Sequence, residues 1–369
     1  MSGNSPGAVR AGVLVAREKI EIQTFDPPAL TPDAAILQVE MCGVCGADFE
    51  AYAHPVSDPV VPMVLGHEVL GRIRAIGDVA ARKWGCGPGD RVVVNEVIPC
   101  GQCDICSTGH AELCNGFFGT AGSRYGNIAV TEGSGLWGGY AELMVLRPGT
   151  QLVPIRDDVP AEIAAMFMPV ANGVHWLGEL GQIRPGQSVL VIGPGAQGLA
   201  VTAVAAQMPG VRVLVSGRSA DAARLDLARE LGAVPVDGET ENVVELARSF
   251  TGGSGVDLVV ITTSNAVSTL QIATRCARIG GRIVIAGTNG WRSEAAFKSD
   301  ALVFRSLQII GAPGHSRKSV QGAVRFLEKS ADALKPLVGR TFGLDDLDKV
   351  LARSLGSERG IHLTVSPLP

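Results

Sequence analysis

The sequence predicts an α/β protein in which a doubly wound parallel sheet is inserted into a β-rich domain. Three observations carry that expectation. The 369 residues exceed the roughly 250–300 that one hydrophobic core serves, so two domains are expected. Residues from about 10 to 155 read as short strands ended by Gly, Pro, Asp or Asn, with little helical periodicity. From about residue 161 to about 310, buried strands alternate with helices, the pattern of parallel βα units. The expected domains are 1–160 together with 311–369, and 161–310.

In the first domain, strands are expected at residues 11–15, 35–41, 70–76 and 91–94, with a large inserted loop whose cysteine lobe covers about 96–116. A helix over 161–180 follows, which Pro169 must kink or interrupt. Residues 182–186 form a turn and 188–192 a short buried strand. A glycine-rich turn then opens a helix to about Gln207. Residues 211–216 read as a second strand and 220–231 as a helix, with Gly232 as its C-cap. Strands at 257–261 and 282–286 flank a helix at about 266–279. Past Gly311, helices are expected at 320–329 and 344–355 and a last strand at 361–365.

Hydrophobic residues at 46% and charged residues at 18% exclude a disordered chain. The 32 basic and 36 acidic side chains leave a net charge of −4, with no footprint for nucleic acid or an anionic membrane. No apolar run reaches the roughly 18 residues a spanning helix needs. The N-terminus lacks a basic patch followed by an apolar stretch, so no secretory signal is expected and a cytoplasmic location is. There, clustered cysteines bind metal more often than they form disulfides.

Gly193-Pro194-Gly195-Ala196-Gln197-Gly198 matches G-x-G-x-x-G between an expected strand and an expected helix. The first glycine allows the tight turn, the second lets the backbone approach a pyrophosphate, and the third lets helix pack on strand. The helix N-terminus then faces the phosphates. The next strand ends Ser216-Gly217-Arg218-Ser219, where a ribose-binding acid belongs. Without that carboxylate a 2′-phosphate is not repelled, and Arg218 with the two serines can hold it. NADP(H) is therefore favoured over NAD(H), the alternative being an arginine that only solvates a strand end.

Cys100, Cys103, Cys106 and Cys114 give C-x2-C-x2-C-x7-C, a set suited to a closed structural zinc site. An iron–sulfur cluster is the rival, without the proline that follows the last cysteine of ferredoxin runs. Cys45, in Cys42-Gly43-Val44-Cys45-Gly46-Ala47-Asp48, precedes Gly66-His67-Glu68. A thiolate and an imidazole with a third ligand and a water make a catalytic zinc pattern; a buried thiol and a core histidine are the plain alternative.

In sequence order, these segments together with Gly89-Asp90-Arg91-Val92 and Gly138-Gly139-Tyr140-Ala141-Glu142 form a specific set. Over essentially its full length the chain resembles the zinc-dependent medium-chain alcohol dehydrogenase/reductase family. The resemblance implies a GroES-like catalytic domain, a Rossmann domain and an active site in the cleft between them. It implies interconversion of a small alcohol and its aldehyde or ketone by hydride transfer with a nicotinamide cofactor. Zinc would be the Lewis acid, with a second, structural zinc and a homodimeric or homotetrameric assembly.

Three residues depart from the family's pattern. Met168, before Pro169, stands at the usual third zinc ligand, and a thioether binds zinc poorly. Glu68 is the expected substitute and Cys42 a weaker one. Ala47 replaces the hydroxyl that relays the alcohol proton, and Glu50 replaces the distal relay histidine, where a carboxylate could take the proton through a water. Asp48 is grouped with Cys45, His67, Glu68 and Glu50 as a catalytic candidate. These departures keep two alternatives open: a zinc-independent enone or quinone reductase, and a non-catalytic NADP(H)-binding protein. His54, His110, His175 and His315 are expected to be surface or supporting residues. Phe117, Phe118, Trp137 and Trp176 either pack or line a cleft, and Cys42, Cys86 and Cys276 are expected to be small buried apolar residues.

Overall fold

The computed structural model describes residues 7–55, 61–114, 124–263, 268–288, 298–352 and 361–368, which excludes Phe117 and Phe118. Two compact units emerge. One comprises Met1–Met168, Ser316–Ala331 and Val338–Pro369, and the other Pro169–His315 and Asp332–Leu337. No helix among the described residues is long and apolar enough to cross a membrane.

The first unit is built of strands β1 (Val9–Ala16), β2 (Lys19–Phe25), β3 (Ala35–Gly43), β4 (Met63–Val64), β5 (Glu68–Ile76), β6 (Arg91–Val94), β7 (Leu143–Leu146) and β8 (Leu152–Pro154). Its larger sheet pairs β3 with β5, β7 and the C-terminal strand His362–Ser366, all antiparallel. A smaller sheet runs β2-β1-β4. The alternation is plain in β3, whose Ala35, Leu37, Val39 and Met41 are buried while Ile36, Gln38 and Glu40 are partly exposed. The Gly89-Asp90-Arg91 turn is explained by Arg91, which is buried and donates to both carboxylate oxygens of Glu40 at 2.9 and 2.7 Å. Its Nη1 serves the carbonyls of Arg156 and Val159, so every nitrogen of the buried guanidinium has a partner.

The second unit carries β9 (Ser188–Ile192), β10 (Arg212–Gly217), β11 (Val234–Asp237), β12 (Val256–Ile261), β13 (Ala277–Ile285) and β14 (Gln308–Gly311). The sheet order is β11-β10-β9-β12-β13-β14 and every pairing is parallel. Counted from β9 this is 3-2-1-4-5-6, the Rossmann order. Strands β9 and β12 are central, and their residues are almost all buried, as a parallel strand covered on both faces requires.

The helix over 161–180 is interrupted, as expected from Pro169, into Ala161–Ala164, Phe167–Val174 and a π-helical turn, His175–Leu180. Pro169 cannot donate to the carbonyl four residues earlier, and the break falls at Ala165–Met166. The helix expected to reach residue 279 stops at Cys276, and Ala277 begins β13 by pairing with Val256. Ladder formation with β12 overrides local helical periodicity there. The helix at 344–355 is a 3-10 turn, Leu344–Asp346, followed by Leu347–Ala352, and residues 353–355 lie outside the described set. Strands β11 and β14 had no clear signal: Pro235 interrupts β11, which is tolerated because β11 is an edge.

Helix Ala196–Ala206 packs against β9 through Gly198, where a Cβ would stand 1.9 Å from the Gly193 carbonyl oxygen. A Gly198→Ala variant must push helix from strand. Urea unfolding is expected to show a loss of about 3 kcal/mol, in the range for overpacked cores.

Candidate functional site

Strand β3 ends at Gly43, and the chain turns through Cys45 into the helix Gly46–Ala53. The hub of this region is Asp48, which is 2% exposed. Its Oδ2 accepts the Cys45 N–H at 2.9 Å and the Tyr140 hydroxyl at 3.0 Å. Its Oδ1 accepts the Gly66 N–H at 3.3 Å and lies 3.5 Å from His67 Nδ1. Asp48 therefore orients the imidazole and leaves Nε2 as the outward donor. Asp48, grouped with the catalytic candidates, meets the Cys45 and Gly66 N–H groups, the Tyr140 hydroxyl and the His67 ring.

Cys45, His67 and Glu68 each offer one donor atom, all within 4.8 Å of one another. Glu68 is buried at 1% exposure, and its Oε2 is 2.8 Å from Nε2 of buried His362. His362 Nδ1 is buried without a partner. Sequence reasoning missed His362, because it stands 294 positions from Glu68 and in no motif. The close approach needs Gly43, where a Cβ would lie 2.1 Å from Glu68 Oε2 and 2.8 Å from the His362 ring.

The glycines of the Gly138-Gly139-Tyr140 segment serve the same centre. A Cβ on Gly138 would lie 2.1 Å from the Val64 carbonyl oxygen, and one on Gly139 would lie 2.5 Å from Cys42 Sγ. The Gly139 and Tyr140 N–H groups donate to Gly66 and Leu65, which brings the Tyr140 hydroxyl onto Asp48. Cys42 is wholly buried and outside the donor group. Cys86 and Cys276 are likewise buried.

Electrostatics favour a cation here. Burial pushes the Cys45 thiol up, and Glu68 pushes it further. Burial lowers His67, but the Asp48 carboxylate outweighs it and holds the imidazole well above its usual value. A partly buried thiol converging with a buried imidazole and a buried carboxylate is the donor chemistry of zinc. Met168 is buried at 3% exposure and adds no charge. Ala47 and Glu50 are exposed, one turn apart on the helix Gly46–Ala53, and Glu50 is outside the donor group.

Cys100, Cys103, Cys106 and Cys114 are all free thiols with sulfurs within 4.8 Å of one another. Cys103 and Cys114 Sγ stand 3.9 Å apart, too far for a disulfide and close to the ~3.8 Å edge of a tetrahedron with Zn–S of about 2.3 Å. The Cys100 N–H donates to Cys114 Sγ at 3.1 Å. The Cys106 N–H and thiol draw the Cys103 thiol down to about 6. The donor set fits a closed metal site. These two groups are the only such clusters of three or more donors among the described residues.

In the second unit, Gly193 has φ +110°, and a Cβ on Gly195 would meet nothing within 4 Å, so the turn is open above its middle glycine. That cradle fits a dinucleotide's pyrophosphate. The Gln197 side chain does not face it freely: its Oε1 accepts from Asn172 at 2.9 Å, and Asn172 Oδ1 lies 3.0 Å from His315 Nδ1. His315 and His175 are buried, whereas His54 and His110 are exposed. Trp137 and Trp176 pack in the interior, each donating its indole N–H to a carbonyl. At the end of β10, Arg218 is exposed with Nε 3.6 Å from Asp221, and Ser216 is buried. Ser219 is already engaged: its hydroxyl donates to Asp237 and its N–H to Glu239.

Residues 31–157 match the model of an alcohol dehydrogenase GroES-like domain, and residues 197–329 that of a zinc-binding dehydrogenase. The chain is 36% identical over 370 residues to a probable alcohol dehydrogenase of Mycobacterium tuberculosis, covering 98% of this chain and 100% of that one. It is 30% identical over 327 residues to an L-threonine 3-dehydrogenase of Sinorhizobium fredii, covering 86% and 87%. Among solved structures it is similar to an alcohol dehydrogenase from Thermus sp. ATN1, with a TM-score of 0.83, 27% identity, and 97% and 99% of the chains covered. It is also similar to a protein of Sinorhizobium meliloti described as a zinc-binding dehydrogenase bound to NADP, with a TM-score of 0.84, 25% identity, and coverage of 98% and 99%.

The raised Cys45 and His67 both hold protons in the metal-free protein at neutral pH, and a metal must displace them. Zinc affinity at this centre is therefore expected to fall as pH falls, by up to about 100-fold per unit for two displaced protons. Calorimetry in buffers of different ionisation enthalpy measures the released protons directly.

Proposed function

The chain belongs to the zinc-dependent medium-chain alcohol dehydrogenase/reductase family, and from that premise we propose that it interconverts an alcohol and its aldehyde or ketone, with NADP(H) before NAD(H), at a zinc held by Cys45, His67 and Glu68. The coarse activity is an oxidoreductase of the alcohol and polyol dehydrogenase type, as its relatives are named. The observation that carries the finer reading is the convergence of those three donors within 4.8 Å. Glu68 supplies the charge that Met168 lacks. Cys100, Cys103, Cys106 and Cys114 hold a second, structural zinc, and the first unit is the catalytic domain.

When bound, the metal polarises the substrate oxygen and the nicotinamide carries the hydride. The chain's own residues do the rest. Asp48 fixes the His67 ring, and Tyr140 fixes Asp48; burial and Asp48 hold the Tyr140 phenol well above its usual value, so it stays a donor. Ala47 supplies no hydroxyl, so proton transfer passes to Glu50 through water, one turn along the same helix face. Gly193, Gly195 and Gly198, with the N–H groups of Ala196 and Gln197 at the helix start, hold the pyrophosphate. Gly217 sets no carboxylate against the 2′-phosphate, and Arg218 binds it with Ser219, while buried Ser216 supports the strand end.

Metal analysis should find two zinc ions per chain. Cys45→Ala should keep one and lower turnover by roughly a thousand-fold, the scale of several kcal/mol of Lewis-acid stabilisation. Full retention of both ions in that variant would sink the assignment. A panel of alcohols and aldehydes followed by nicotinamide absorbance identifies the substrate class.

The family also supports a homodimer or homotetramer. Strand β14 is an edge, and Ile279, Val303 and Phe304 in the same unit are 69%, 76% and 83% exposed. An open strand edge with apolar neighbours is a template for pairing with a second copy. Phe304→Glu is expected to shift the protein toward monomer in light scattering.

A further inference from the structure

The segment after β10 is held down by the loop after β11. The Gly238 N–H donates to the Gly217 carbonyl at 2.9 Å. The Ser219 hydroxyl donates to Asp237 Oδ2 at 2.7 Å, and the Ser219 N–H donates to Glu239 Oε2 at 3.0 Å. The loop is tied within itself as well: the Glu239 N–H donates to Asp237 Oδ1 at 3.0 Å, and the Asp237 N–H to Glu241 Oε2 at 2.9 Å. The Ser219 hydroxyl, then the Glu239 N–H, hold the Asp237 carboxyl below its usual value, so it is ionised at neutral pH.

Both donors of Ser219 are therefore occupied by carboxylates. A cofactor 2′-phosphate bound by Arg218 and Ser219 would need those same donors and would bring about −1.5 to −2 charges toward Asp237 and Glu239. A ribose 2′-hydroxyl brings no charge and can itself donate to a carboxylate. Asp237 is fixed by hydrogen bonds to its carboxylate from two groups, whereas Glu239 is exposed and its carboxylate holds the backbone N–H that a phosphate oxygen would take.

We propose that Glu239 is a specificity-determining residue for the adenosine end of the cofactor. By occupying the Ser219 N–H it handicaps a 2′-phosphate and lets NAD(H) compete with NADP(H). The inference rests on the 2′-phosphate lying at Arg218 and Ser219, as proposed above.

The test uses the full-length, zinc-loaded protein and reads binding, not turnover. Dissociation constants for NADPH and NADH are measured by nicotinamide fluorescence, and those for adenosine 2′,5′-bisphosphate and AMP by calorimetry. Glu239→Gln removes the charge and keeps the side-chain length; Glu239→Ala removes both. In each variant NADPH and the bisphosphate should bind about five-fold tighter, the upper scale for an exposed charge pair, with NADH and AMP within about two-fold. Unchanged or weaker NADPH binding, or an equal shift of both cofactors, overturns the proposal and leaves Glu239 a support of the loop. Arg218→Ala separates the two levels. If it costs NADPH nothing, the 2′-phosphate placement itself fails; if it weakens NADPH while the Glu239 variants are silent, only the role of Glu239 fails.

Discussion

One buried carboxylate holds the candidate metal centre together. Asp48 receives the N–H groups of Cys45 and Gly66 and the hydroxyl of Tyr140, and it faces His67. These groups come from a helix start, a glycine turn and a segment more than seventy residues further on. A buried carboxylate is stable only when its lone pairs are filled. That requirement fixes where the two flanking donors, Cys45 and His67, can be. The glycines around it follow from the same constraint. At Gly43, Gly138 and Gly139 the space a side chain would take is already held by Glu68 and His362, a backbone carbonyl, and Cys42.

Met168 brings no charge, and within the same unit the Glu68 carboxylate lies within 4.8 Å of the Cys45 and His67 donor atoms. Glu68 adjoins His67 in sequence, so its carboxylate reaches the centre without any new element. Its other oxygen is tied by His362 from the C-terminal strand, which pairs antiparallel with β3. A buried carboxylate with one oxygen fixed is a better-placed ligand than a free one, because less side-chain entropy is lost on binding. In the dinucleotide unit the corresponding device is the Asn172 amide, which holds the Gln197 side chain on one side and meets His315 on the other.

What could be read in advance depended on how local the cause was. The central strand at 188–192 and the glycine turn were legible because β9 is buried on both faces and its turn needs φ values only glycine takes. Strand β11 was hidden by Pro235, since an edge strand tolerates what a central one cannot. The start of β13 at Ala277 was hidden because its partner, Val256, lies on another strand. The cysteine spacing announced a closed site, and the sulfurs do converge. The two serines near Arg218 read as free phosphate ligands. Ser219 instead already donates to Asp237 and Glu239, on the loop after the next strand.

The sequence by itself determined the family, the parallel-sheet and β-rich parts, the positions of the two donor clusters and the glycine turn. Each is set by residue type and short spacing, which act before the chain is compact. Only the tertiary structure decided that Asp48 meets Cys45, Gly66 and Tyr140, that His362 lies against Glu68, that Cys42 stands outside the donor group, and that Glu239 occupies the Ser219 N–H. Each of these depends on two side chains meeting across strands and loops. Such meetings are governed by burial and by the need to satisfy every buried or crowded polar group, which no local pattern records.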